Sequence, residues 1–239
     1  KSRYAALAAG LFALDFMHFT QTRISTIDVY GVFFIMLMFY FMQRYFTLNF
    51  YLVPLRKTLV PLFWSGLFFG IGVASKWIVL YGGAGLAIML ALVLFERYKQ
   101  YRAAGRVLAE GKLGDLELRN ASQKAVKSFW KNTILTLLSC IVFFVLIPIL
   151  IYSLSFIPVL TVTPEGFTVK GLIDAQINMY DYHSQLVATH PFSSSWWQWP
   201  FMKRPVWFFS GGEGLPEGQV SSIVTMGNPL IWWTGIFTM

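Results

Sequence analysis

An all-α, polytopic membrane helical bundle is the fold class this 239-residue sequence predicts, and three observations predict it. Charged residues make up only 13% of the chain, well below the quarter or so usual in a soluble domain. Hydrophobic residues make up 56%. They gather in near-continuous runs that approach the roughly 20 residues a bilayer-spanning helix needs.

Six such runs predict about six spans: 4–19, 24–43, 59–75, 77–95, 133–160 and 223–239. The stretch 59–95 would make a helix about 55 Å long, nearly twice a hydrocarbon core. It must therefore fold back, and its only charge, Lys76, marks the turn. The chain divides into membrane segments with outer polar ends (1–95), a basic loop (96–132), a span (133–160), a long outer loop (161–222) and the start of a further span (223–239). In the outer loop, residues 171–189 have apolar positions near helical spacing, which predicts a helix lying along the membrane surface. Pro191, Pro200 and Pro205 forbid a continuous helix beyond it.

Positive charge orients the spans. Arg97, Lys99, Arg102, Arg106, Lys112, Arg119, Lys124, Lys127 and Lys131 lie in the 96–132 loop, which is expected to be cytoplasmic. Alternation from there places Arg44, Arg56 and Lys57 inside. It places 15–23, Lys76 and 161–222 outside, a multi-pass arrangement in the cell membrane with its polar chemistry on the extracytoplasmic side. The net charge of +8 comes mostly from that one loop, so it argues for membrane topology and against nucleic-acid binding. The single Cys140 lies in an apolar run, which leaves no intramolecular disulfide and no thiolate metal site. No His/Asp/Glu spacing suggests a protein-held metal. The chain opens on Lys1 and stops within an apolar run, and is read as an internal fragment of a longer protein.

Polar groups on the outer side collect at membrane ends. Asp15, His18, Thr22 and Ser25 recur at steps of three and four, on one helical face, with Arg23 beside them and Asp28 entering the next span. Ionisable groups at bilayer depth default to functional roles, although interhelical pairing serves Asp28 and His18 as well. Lys76 beside Trp77 suits either a lipid phosphate or an interfacial anchor. The glycines around it, from Gly66 to Gly85, suit close helix packing. The stretch HPFSSSWWQWPFMKRPVWFF (190–209) interleaves His190, Lys203 and Arg204 with Trp196, Trp197 and Trp199. An aromatic belt accounts for the indoles alone. The added cations suit a ligand with a sugar ring, a phosphate and a lipid tail.

FTQTRISTIDVY, the GxxxGxGxASKW run of 66–77, YHSQLVATHPFSSSWWQWP and RPVWFF together resemble the protein O-mannosyltransferase family, most closely its bacterial, phospholipid carrier-dependent members. The resemblance implies a glycosyltransferase fold of the GT-C type. It implies transfer of mannose from a polyprenyl-phosphate carrier to Ser or Thr of a protein, with membrane lipid, the lipid-linked sugar and the acceptor protein as partners; no cofactor is expected beyond that donor, and a divalent metal stays open. It aligns Arg23 with the family's essential Arg. It places the catalytic acidic pair ahead of Lys1, so no residue here is assigned as catalytic, and the fragment alone is expected to be inactive. Arg23, Lys76, Lys203 and Arg204 are the candidates for the carrier phosphate, and His190, Trp196, Trp197 and Trp199 for the sugar or carrier pocket. A lipid-linked sugar transporter or flippase, a purely structural subunit, and an enzyme of the same fold class acting on a lipid acceptor are the rival readings.

Overall fold

A computed structural model describes residues 2–110, 116–164, 166–187 and 192–238. The chain divides into two compact units, Tyr30–Gln176 and Lys1–Val29 with Ile177–Met239.

The first unit is a helical bundle. Its helices are α3 (Asp28–Phe46), α4 (Leu55–Ser75), α5 (Val79–Glu110) and α6 (Leu116–Ile141), the last continuing through a π-helical turn (Val142–Leu146) into α7 (Ile147–Ser155) and α8 (Ile157–Leu160). Among the described residues, four helical stretches are long and apolar enough to cross a membrane: Asp28–Phe46, Leu55–Ser75, Val79–Glu110 and Leu116–Leu160. The fold-back falls where the charge predicts it, for Lys76 is the extended C-cap of α4 (φ −160°, ψ 132°) and α5 starts at Val79.

Helical spacing explains the core. Met38, Met42 and Tyr45 on α3 meet Leu62 and Phe69 on α4 and Val79, Leu86 and Val93 on α5, each set recurring every three, four or seven residues. In a bilayer the surrounding lipid is as apolar as these side chains, so association rests on close van der Waals fit and small residues at the contacts. Gly66 meets that need: a Cβ there would collide with the carbonyl of Phe143. Gly82 does the same against the Met38 side chain. The π turn follows from Pro148, whose ring has no N–H and would crowd a carbonyl one turn earlier in a regular helix. The wider turn, closed by Ile147 N–H to the Val142 carbonyl, relieves that crowding.

The basic stretch 96–132, expected as a loop, is helical over all its described residues. Its described cations ride on the paired ends of α5 and α6, which enclose a second small core of Phe50, Tyr51, Ala104, Ala125 and Phe129, and Lys112 lies outside the described residues. Arg97, counted above among the loop's charges, is only 6% exposed. Its guanidinium donates to the Leu48 carbonyl and lies 5.9 Å from the Phe50 ring, while the Tyr51 hydroxyl donates to the Arg97 carbonyl at 3.0 Å. It is a structural tie from the 47–53 connection to α5.

The second unit departs from the expected pattern in three places. The apolar run 4–19 breaks at Asp15, separating α1 (Ser2–Ala13) from α2 (Phe16–Arg23), because the Asp15 carboxylate caps α2 by accepting the His18 N–H. A positive φ of 53° at Ser25 then ends that helix, so α3 starts at Asp28 and not at 24. The run 223–239 opens with part of a strand before α10 (Pro229–Thr238) begins. α9 (Val169–Gln185), which belongs to the bundle unit through Gln176 and to the second unit from Ile177, is the helix expected near 171–189. Beyond the prolines lies an antiparallel hairpin, β1 (Val206–Gly211) with β2 (Ser221–Thr225), so the chain is not helical throughout. Val206 pairs with Thr225 and Phe209 with Ile223, with an irregularity at Phe208. Gly214 and Gly218, at φ 76° and 81°, supply the left-handed backbone the connection needs.

Candidate functional site

The stretch 193–204 folds into a compact turn. Gln198 N–H donates to the Ser195 carbonyl at 2.9 Å, and Met202 N–H to the Trp199 carbonyl at 2.9 Å. Met202 has φ 48°, a reversal that brings the chain back, so the Lys203 ammonium sits 5.9 Å from the Trp197 ring centroid. The next residue, Arg204, donates from Nη1 to the Ser193 carbonyl at 3.1 Å. Ser193, Ser194, Ser195, Gln198, Lys203 and Arg204 line a polar hollow of about 360 Å³. Hydroxyls, an amide and two cations line it, a donor set suited to an anion. Trp196, Trp197 and Trp199 are 76%, 53% and 61% exposed, so they are not core residues. His190 lies outside the described residues.

Arg23 belongs to the same unit as this turn. It ends α2, exposed, its guanidinium 4.9 Å from the Phe19 ring centroid. A cation is favoured there by the negative end of the helix dipole. The other end of α2 is tied to the hairpin's exit. Asp15 Oδ1 accepts the Asn228 N–H at 2.9 Å and the Trp232 indole N–H at 3.0 Å. Asn228 Nδ2 donates to the Leu14 carbonyl at 3.3 Å, and the Thr225 hydroxyl to the Met17 carbonyl at 3.4 Å. Because Thr225 pairs with Val206, two residues past Arg204, the tie places α2 and the start of β1 in one frame. The His18 ring packs against Phe12, centroids 4.0 Å apart. Asp28 lies in the first turn of α3, the favourable end of that helix for a carboxylate.

Lys76 belongs to the other unit, half-buried at the turn between α4 and α5. Next to it, the Trp77 indole N–H donates to the Tyr152 hydroxyl at 2.8 Å, and that hydroxyl donates to Gln176 Oε1 at 2.6 Å. Below this chain opens a cavity of about 430 Å³, walled by Phe69, Val73, Leu80, Phe144, Pro148 and Ile149. It is an apolar slot with one polar rim. Tyr152 and Gln176 went unnoticed in the sequence, since Tyr152 lies in an apolar run and meets Trp77 across 75 positions. Asp15 carried a helical-face signal but nothing that pointed to Asn228 or Trp232.

Four helices among the described residues, long and apolar enough to cross a membrane, define the class: an integral, multi-pass membrane protein. Residues 1–162 match the family model described as dolichyl-phosphate-mannose-protein mannosyltransferase. Residues 168–239 match the C-terminal four TMM region of protein-O-mannosyltransferase. The chain belongs to the protein O-mannosyltransferase family, membrane-embedded, multi-pass enzymes that move mannose from a lipid-linked donor to protein. No curated protein and no solved structure matches it.

Proposed function

We propose that this chain forms part of an enzyme that transfers mannose from polyprenyl-phosphate-mannose to Ser or Thr hydroxyls of proteins at the extracytoplasmic face of the cell membrane. The observation that carries the reading is the hollow of Lys203, Arg204 and the 193–195 serines beside exposed indoles. Fixed cations there, with Arg23, hold the carrier phosphate, and Lys76 is the candidate for an anionic lipid group on its own unit. Trp196, Trp197 and Trp199, with His190, frame the sugar, whose C–H faces pack on the indoles. The slot under Trp77 and Tyr152, within the bundle unit, suits an apolar lipid chain.

The chemistry follows from charge. The acceptor hydroxyl attacks the anomeric carbon while a carboxylate removes its proton, and the carrier phosphate departs with the electrons of the broken glycosidic bond. The base comes from the acidic pair that the family pattern places ahead of Lys1. Phosphate leaves readily, so the proposed reaction draws on no protein-held cofactor. It draws instead on preorganised positive charge where negative charge develops. The sidedness rests on the basic 96–132 stretch being cytoplasmic.

The test uses the full-length protein in membranes, a polyprenyl-phosphate-[14C]mannose donor and a Ser/Thr acceptor peptide. Arg23→Ala, Lys76→Ala and the double change Lys203→Ala/Arg204→Ala should each lower transfer about a hundredfold or more with insertion unchanged. Transfer at the wild-type rate in all of them removes the phosphate assignment. A membrane-impermeant label that reacts from outside with a cysteine placed at Lys127 overturns the sidedness.

A further inference from the structure

α2 carries Arg23 yet has no buried residue, so burial does not hold it in place. Its first turn does. Three N–H donors converge on the Asp15 carboxylate: that of His18, at 3.4 Å, is ordinary capping, but those of Asn228 and Trp232, at 2.9 and 3.0 Å, arrive from more than two hundred residues downstream. A carboxylate accepts several donors at once, and charge makes each bond stronger than a neutral one. An aliphatic side chain at position 15 would leave the Asn228 N–H and the indole N–H without this acceptor. The tie also joins the two stretches that match separate family regions, 1–162 and 168–239. Arg23 is at the free end of the helix so anchored. Lys203 and Arg204 lie just before the strand paired to Thr225, which itself bonds to Met17 on α2.

We infer that Asp15 is a positioning residue for the transfer reaction: its carboxylate locks the Arg23 helix to the β2–α10 junction, so that Arg23 and the Lys203–Arg204 turn meet the carrier phosphate in one frame. The inference rests on the proposed phosphate role of Arg23. Asp15 touches no substrate, and its effect passes through Arg23.

The test is equilibrium binding of the product, polyprenyl phosphate, to the purified full-length enzyme in nanodiscs. Asp15→Ala should weaken binding about tenfold, the scale of a lost charge-assisted hydrogen-bond anchor. Asp15→Asn keeps an oxygen acceptor and should restore most of that loss, and Trp232→Phe, which removes one donor, should cost only a few-fold. Arg23→Ala should weaken binding at least as much as Asp15→Ala, and adding Asp15→Ala to it should cost less than threefold more, since two residues acting through one contact are not additive. A full tenfold loss in the Arg23→Ala background overturns the inference, because a merely structural anchor would show that additivity. If Asp15→Ala does not reach the membrane folded, Trp232→Phe with and without Arg23→Ala decides in the same way. Wild-type binding by Arg23→Ala alone overturns the phosphate reading of Arg23, a separate outcome from additivity.

Discussion

Each of the two compact units is held together internally, and by opposite means. Every buried hydrophobic residue among those described lies between Met38 and Leu160, in the helical bundle. Among its described residues the other unit buries only Thr225 and Gly227, and its elements meet through the Asp15, Asn228 and Thr225 hydrogen bonds and the strand pairing. A bundle in lipid gains from shape, because lipid competes equally for apolar surface. A polar unit gains from matched donors and acceptors, whose loss leaves specific groups unsatisfied. Enlarging a side chain should therefore damage the first unit and spare the second, and removing a polar atom should do the reverse unless the bundle has a polar tie of its own.

The sharpest break of that contrast is a pair of glycine changes. Gly66→Leu forces side-chain atoms onto the Phe143 carbonyl, a backbone atom with no rotamer to yield. Overpacking costs about 1–3 kcal/mol even where neighbours adjust, and here α4 has to move off the π turn. The full-length protein should show a large loss of folded material and a lowered midpoint by size-exclusion thermal unfolding in detergent. Gly10→Leu in α1, where nothing lies within 4 Å of a built Cβ, should leave the midpoint unchanged. Equal losses at the two sites would erase the distinction.

The next test asks whether the bundle is purely a matter of shape. Arg97→Met keeps much of the buried volume but strips the Leu48 carbonyl of its guanidinium donor. An unmet buried acceptor costs about 1–3 kcal/mol. The midpoint should fall, by less than for Gly66→Leu, while transfer activity at low temperature persists. A rise in stability would mean that desolvating the charge outweighs its bonds, as happens in some buried ion pairs.

These same contacts explain what the sequence made legible. Composition, the Lys76 fold-back and the packing glycines depend on local pattern, and the bundle has them where the pattern puts them. The apolar run 4–19 and the start of 24–43 were misplaced because hydropathy does not see backbone breaks, although 24–43 does carry the span Asp28–Phe46. Asp15 capping its own helix and Ser25 in the left-handed region are decisions of single residues inside greasy stretches. The hairpin had a readable signal in VWFFS and SSIVT flanking a Gly- and Pro-rich turn, overshadowed by reading the tryptophans as a loop. The basic stretch looked like a loop by charge, yet its helices continue because Ala104, Ala125 and Phe129 keep a buried stripe. Of the site, the cations and indoles of 196–204 were legible as types in sequence. The Trp77–Tyr152–Gln176 chain and the Asp15 tie were not, since each joins positions far apart with no shared motif.

The smallest expected effect locates the polar tie within the bundle by pH. Tyr51 lies outside the spanning segments, and burial pushes its hydroxyl up from the ordinary value of 10.0 to about 12, partly offset by the positive charge of Arg97. The folded state thus prefers the neutral phenol more strongly than the unfolded chain does. That preference contributes its full stability below pH 10 and loses it as pH rises from about 10 through 12, when the unfolded state gains by ionising first. Thermal midpoints of the wild type should fall through that window more steeply than those of Tyr51→Phe, whose ring keeps the packing against Phe50 but cannot ionise. Below pH 9 the two should differ only by the lost bond to the Arg97 carbonyl, on the order of 1 kcal/mol. Parallel curves across the whole range would show that the Tyr51 hydroxyl is open to water in the folded protein, and the Arg97–Tyr51 end of the bundle would then belong with the polar unit in kind.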